Sequence, residues 1–234
     1  MNKDAIAYVK KNHKKIVSDI CNLKIFSPSK NPFTLFMAGS PGSGKTEYSK
    51  NFLKKLEAED PSQKILRLDT DELRELLPQY TGDNSDEVQR AATLLFDKTF
   101  DYIQKKNINA IIDTTFASPR AMQNVERSIN RGRRVGIIYL YEDPIRAWEY
   151  TKKREKMEGR SVPKDIFINA YFSARQNVNK VKEKFGDRIE LNLFEKYDDF
   201  NFEKKAKFNI QSLDSHLKER YDRHDLEKKL LDEI

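Results

Sequence analysis

The chain contains one cysteine, Cys21, in 234 residues, so no internal disulfide can form and nothing in it calls for an oxidising compartment. Its three histidines are scattered, and with a single thiol they exclude a His/Cys zinc cluster. No G-x-S-x-G nucleophile elbow is present. Apolar runs are short as well, and none approaches the ~20 residues needed to span a bilayer. Met1-Asn2-Lys3-Asp4-Ala5-Ile6 opens a charged amphipathic segment rather than the continuous apolar stretch of a signal peptide, and the expected compartment is the cytoplasm. Repeats and low-complexity tracts are missing. Trp148 and the many Phe and Tyr form no aromatic, basic platform of the kind that reads single strands, and most of them are expected in the core.

What is there suits one sizeable domain with appendages. Charged residues make up 35% and apolar residues 38%, as in a soluble protein with heavily charged helices. The net charge of +7 is unevenly spread: residues 1–30 hold seven Lys and two Asp, a balance of +5, which leaves +2 for the rest. A nearly neutral core argues against a nucleic-acid partner, although Arg127, Arg131, Arg133 and Arg134 could form a local patch.

Along residues 3–23, Ile6, Val9, His13, Ile16, Ile20 and Leu23 recur at spacings of three and four, giving a helix with one apolar and one lysine-rich face. His13 reads as the edge of a packed helix. Ser27-Pro28-Ser29-Lys30-Asn31-Pro32 separates this segment from Phe33-Thr34-Leu35-Phe36-Met37-Ala38, a short apolar run expected as a buried strand. Further strands are expected at Ile65–Leu68, Asn109–Ile112, Val135–Leu140 and Ile189–Leu193, with helices between them and a charged final helix near residues 212–231. Alternation of this kind predicts an α/β, three-layer fold: a mostly parallel central sheet with helices on both faces. Ligands then gather at the carboxyl ends of the strands. We divide the chain into a basic N-terminal helix, residues 1–30, a central α/β domain, 31–198, and a charged helical extension, 199–234.

Immediately after the first strand comes Gly39-Ser40-Pro41-Gly42-Ser43-Gly44-Lys45-Thr46, a complete G-x-x-x-x-G-K-[ST] loop. Its glycines let the backbone curl around a polyphosphate so that N–H groups and the next helix's positive end face the oxygens. Lys45 would reach the β- and γ-phosphates of ATP or GTP, and the Thr46 hydroxyl would bind Mg²⁺. Strand, loop and helix occur in the required order, because Tyr48, Phe52, Leu53 and Leu56 follow at helical spacing.

The other chemistry-bearing residues close the later strands. Asp69-Thr70-Asp71-Glu72-Leu73-Arg74 supplies Asp71 as candidate base for an acceptor hydroxyl, a role compatible with capping the helix behind it, and Asp69 as a residue beside Mg²⁺ or its waters. Asp113-Thr114-Thr115-Phe116 resembles the second nucleotide-site motif of phosphate-loop enzymes; a substrate-binding role for Asp113 and Thr115 and a simple structural turn remain open. Arg154, and Arg160 within Gly159-Arg160-Ser161-Val162-Pro163, fall on a helix that breaks at Gly and restarts after Pro, as hinged lids do. Both are expected to stabilise charge on the transferred phosphoryl.

In order and spacing these segments, with Pro78-Gln79-Tyr80 behind Asp71, resemble the zeta-toxin family of phosphate-loop kinases over about residues 33–195. That resemblance implies ATP- or GTP-dependent phosphorylation of a sugar hydroxyl on a UDP-activated amino sugar, typically UDP-N-acetylglucosamine, which poisons cell-wall synthesis. It also implies Asp71 as base, Lys45 as phosphate ligand and Arg154 and Arg160 as lid arginines. Asp97 falls where the family tends to have a substrate-binding Glu, so the substrate-facing set is Arg74, Asp97, Asp113 and Thr115. The departures are on the acceptor side: Asp97 is shorter than Glu, Thr114 replaces a frequent Gly, and Ala117 stands where many members have Arg. Members are often held inactive by an antitoxin, a role the segment 1–25 could play in cis, although we rank core packing above it. A 5′-hydroxyl polynucleotide kinase and a non-catalytic nucleotide switch are the rival readings.

Overall fold

The structure, a computed structural model, describes residues 2–158, 161–196, 206–218 and 221–230. Arg160 and the adjoining Gly159, and residues 197–205, lie outside it. Strands β1 (Phe33–Ala38), β2 (Leu66–Asp69), β3 (Ala110–Asp113), β4 (Arg134–Tyr141), β5 (Ile189–Glu195) and β6 (Ala206–Lys207) form one sheet in the order β2-β3-β1-β4-β5-β6. The first five are parallel, and β6 adds antiparallel to β5. Because β1 lies between β3 and β4, the chain leaves it in opposite directions, and a crevice opens at its carboxyl end. The loop at residues 39–46 occupies that position.

Parallel strands buried on both faces explain the apolar runs that mark them in sequence. Phe36, Ala38, Ala110, Ile112, Ile137 and Tyr139 face a large core, whereas Met37, Ile111, Ile138 and Leu140 face the opposite side. The helices are α1 (Lys3–Ile20), α2 (Lys45–Glu59), α3 (Thr70–Glu75), α4 (Ser85–Lys105), α5 (Ala121–Asn130), α6 (Pro144–Glu158), α7 (Lys164–Phe185) and α8 (Arg223–Lys229). Tyr48, Phe52, Leu53 and Leu56 of α2 cover one face; α1, α4, α5 and the second half of α7 cover the other.

Ala5, Val9 and Val17 seat α1 in that larger core alongside α4, which puts the segment where core packing would. Asn2 N–H donates to the Glu87 carbonyl at 2.9 Å near the start of α4, and Ser29 N–H donates to the Asn107 carbonyl at 2.9 Å past its end, so the two helices run side by side. The arginine patch does not form. Arg133 is buried and holds the carbonyls of Phe33 and Ile108, and Arg127 pairs with Asp101, leaving only Arg131 and Arg134 exposed.

A smaller apolar cluster joins Ala147 and Trp148 of α6, Phe167, Ile168 and Tyr171 of α7, and Leu226 and Leu230 around α8. The helix expected over residues 212–231 is shorter: among the described residues only Arg223–Lys229 is helical. Side chains of α7 capture the earlier part. Asn179 Oδ1 accepts from Leu213 N–H at 2.8 Å, and Arg175 bonds Asp214 and the Leu217 carbonyl at 2.6 and 2.5 Å, taking backbone groups that a helix would use itself. Asp222 then starts α8 with a capping box.

Candidate active site

The phosphate loop is shaped by what surrounds it. A Cβ on Gly42 would stand 2.0 Å from the Ala147 carbonyl oxygen and 2.7 Å from Thr151 Oγ1, so α6 lies directly on the loop. Gly39, at φ +137°, has equally little room, with the Leu140 carbonyl oxygen 2.4 Å from a Cβ position, and its N–H donates to the Thr115 carbonyl at 3.1 Å. Thr115 thus reaches the loop through its backbone, while its hydroxyl accepts from Ala117 N–H at 3.3 Å.

Lys45 is buried, and its Nζ donates to the Ser40 carbonyl at 2.6 Å and to Ser43 Oγ at 3.3 Å. Burial pushes its pKa down to about 8, against the opposing pull of Asp113 and Asp69; the Arg154 charge pushes it further down. The two carboxylates and the Arg154 guanidinium therefore share one electrostatic neighbourhood with Lys45. Four of the expected residues, from α2, β2, β3 and α6, are brought together.

Asp69 and Asp113 are paired in register at the ends of β2 and β3. Burial raises the Asp69 pKa to about 6, reinforced by the nearby Asp71 and Asp113 charges, while its bond to Asp71 N–H and the Arg67 charge oppose the rise. Asp69 Oδ1 accepts from Asp71 N–H at 2.9 Å and so caps α3. Asp71 sits in the first turn, about a third exposed, with Oδ1 3.2 Å from Arg74 Nη1. Arg74, expected among the substrate-facing residues, is itself buried: Nη2 donates to Gln89 Oε1 at 2.5 Å, and Nε is buried without a hydrogen-bond partner. Its geometry is that of a brace for Asp71.

Asp97 lies eight residues beyond Gln89 on α4, about 12 Å along the axis. There it pairs with Arg120 at 2.6 Å, between α4 and the start of α5. Between Thr115 and Arg120, Phe116 adopts φ +62°, an uncommon conformation for a bulky residue. Its ring packs edge-on against Phe36 and its carbonyl accepts from Asn177 Nδ2 at 3.0 Å, which hold the loop in that shape.

Sequence reasoning missed Arg67 and Ser49. Arg67 reaches Asp69, Asp113 and Glu72, each at 2.6 Å, and Ser49 Oγ lies 2.8 Å from Asp113 Oδ2. A signal was available: Arg67 is the one charge inside Ile65-Leu66-Arg67-Leu68, and Ser49 follows Lys45 by one helical turn. Among the described residues, no three His, Cys, Asp or Glu assemble a cation cage.

The family model described as Zeta toxin matches residues 18–202. The chain belongs to the zeta toxin family. Among solved structures, a chain of the PezAT chromosomal toxin–antitoxin system of Streptococcus pneumoniae is similar at 15% identity and a TM-score of 0.63, over 84% of this zeta toxin family member and 78% of that chain. The native AvrRxo1-ORF1:ORF2 complex contains a chain similar at 15% identity and TM-score 0.65, over 85% and 65%. The form of that complex with ATP gives 13% identity and TM-score 0.63, again over 85% and 65%. At such identities the likeness is one of fold, and this family member spans under two thirds of the AvrRxo1 complex chain. A search of curated proteins finds no match.

Proposed function

We propose that the protein is an ATP- or GTP-dependent small-molecule kinase that phosphorylates a sugar hydroxyl, of UDP-N-acetylglucosamine or a related nucleotide-linked metabolite, and acts as a toxin. The observation that carries this reading is the convergence on Lys45 of Asp69, Asp113 and Arg154, with Asp71 two residues beyond the Asp69 cap. In the reaction, the acceptor oxygen forms a bond to the γ-phosphorus as the bond from that phosphorus to the bridging oxygen breaks, leaving the nucleoside diphosphate. Asp71 orients the hydroxyl and takes its proton. Lys45 and Arg154 hold the phosphoryl oxygens as negative charge spreads over them, joined by Arg160 from the break between α6 and α7. Mg²⁺, which the Thr46 hydroxyl and, through water, Asp69 would hold, would supply positive charge to offset that on the phosphates.

Family membership supports an antitoxin as partner; the packing of α1 on α4 favours a structural role for the N-terminal segment over cis-inhibition. The test is incubation of the full chain with γ-labelled ATP or GTP and UDP-N-acetylglucosamine, a metabolite extract or a 5′-hydroxyl oligonucleotide, followed by mass spectrometry. A phosphorylated UDP-sugar is the expected product. Label moving only to the oligonucleotide would replace this reading with polynucleotide kinase, and hydrolysis alone would refute it.

A further inference from the structure

Arg67 carries an enclosed charge that the strand pattern does not account for. Its side chain is only 6% exposed, on a strand whose neighbours Leu66 and Leu68 are core. All three guanidinium nitrogens are engaged: Nη1 with Glu72 at 2.6 Å, Nη2 with Asp69 and Asp113 at 2.6 Å each, and Nε with Ser49 Oγ at 2.9 Å and Asp113 at 3.1 Å. Burial opposes the Arg67 charge, and the Asp113, Asp69 and Glu72 carboxylates outweigh it, so its pKa is raised. Stability does not account for this arrangement, since a buried ion cluster is commonly no more stable than apolar side chains of similar volume.

What the cluster does account for is position. The helix α3 has six residues, too few to hold an orientation by itself. Arg67 grips it twice, at the Asp69 cap and at Glu72 in the first turn, and Asp71 lies between the two grips. Through Ser49 the same guanidinium is joined to α2, where Ser49 Oγ also lies 3.0 Å from the Thr46 carbonyl. Phosphate-side and acceptor-side elements thus meet on one planar group.

We propose that Arg67 is a positioning residue that sets Asp71 against Lys45 and Thr46, an inference that rests on Asp71 being the base. A lysine, with a single nitrogen, cannot span the same four partners.

The test uses the full chain carrying Arg67→Met, Arg67→Lys, Glu72→Gln, Asp71→Asn and the Asp71→Asn/Arg67→Met double substitution. Turnover is read as total label leaving γ-labelled ATP in the presence of UDP-N-acetylglucosamine and a metabolite extract. Nucleotide affinity and hydrogen exchange are measured in parallel. Arg67→Met is expected to lower kcat roughly 100-fold, the scale of a 1 Å misplacement, while leaving ATP affinity within about threefold. Arg67→Lys should recover little, and Glu72→Gln, which removes one exposed grip and should not impair folding, should lose about tenfold. The double variant should be no slower than Asp71→Asn alone, because both changes remove the same function. Exchange over residues 70–76 should quicken in Arg67→Met with β1 and α2 protected as before.

Unchanged kcat in a folded Arg67→Met, independent losses in the double variant, or exchange quickened throughout the sheet would each overturn the proposal. If Arg67→Met does not fold, the Glu72→Gln kcat and the exchange over residues 70–76 in that variant decide. Asp71→Asn separates the two layers: full activity there removes the base assignment, whereas an inactive Asp71→Asn beside a fully active Arg67→Met removes only the positioning role.

Discussion

The two sides of the cleft are built by different means. On the side proposed for the nucleotide, eight consecutive residues form the loop, and the constraints on them are mainly backbone ones: close approach of Gly39 to Leu140, of Gly42 to Ala147, and Lys45 folded back on Ser40. On the acceptor side, Arg67, Asp69, Asp71, Arg74, Gln89 and Asp113 come from β2, α3, α4 and β3 and are held by side-chain bonds, two of them at 2.5–2.6 Å and spanning 15 and 46 residues. A contiguous loop is robust to changes elsewhere but intolerant of an added methyl group. A dispersed network tolerates local bulk and fails when one charged partner is removed, since the others are left buried and unpaired. Turnover and nucleotide affinity should therefore be separable by substitution.

The largest expected separation comes from Asp71→Asn. Loss of a general base should lower kcat by about 10²–10⁴-fold with ATP affinity unchanged, measured by single-turnover kinetics and equilibrium titration. Equal losses in both would show that the two sides are not independent. Gly42→Ala should act the other way. Its Cβ collides with the Ala147 carbonyl at φ +74°, and strain of about 1–3 kcal/mol should weaken ATP binding roughly 5- to 150-fold in a folded protein.

A subtler test lies in pH. The Lys45 pKa of about 8 means that the ammonium is complete below pH 7 and lost above pH 8, while phosphate contact favours the charged form. ATP affinity should be flat below pH 7 and fall by up to about tenfold per unit above pH 8, with proton uptake on binding visible by calorimetry in two buffers. No fall before pH 10 would contradict the burial of Lys45. The smallest effect is expected at Arg120, where the guanidinium is more than half exposed in its pair with Asp97: Arg120→Ala should change unfolding free energy by less than about 1 kcal/mol in a denaturant titration. A much larger loss would mean that this edge belongs to the same buried network as Asp71.

The sequence alone determined what depends on neighbours in the chain. The strand–loop–helix unit around Gly39–Thr46, the parallel sheet implied by apolar runs between helices and the break between α6 and α7 all follow from local periodicity and turn chemistry, whereas the cap of α3 is Asp69 and not the expected Asp71, which lies in the first turn. Strand ends differ by a residue or two from those expected, and β6 carries too little pattern to be seen. Tertiary structure decided the rest. Arg67 could not be matched to Asp113 from sequence, nor Arg74 to Gln89, because nothing local selects one buried partner over another until the sheet order places β2 beside β3 and α3 against α4. The residues before α8 failed to continue its helix for the same reason. Asn179 and Arg175, more than thirty residues away, offered their backbone groups better partners than the next turn. Local pattern carries the strength of backbone pairing within a segment; the choice among distant side chains is made by burial, where an unmatched charge is too unfavourable to persist.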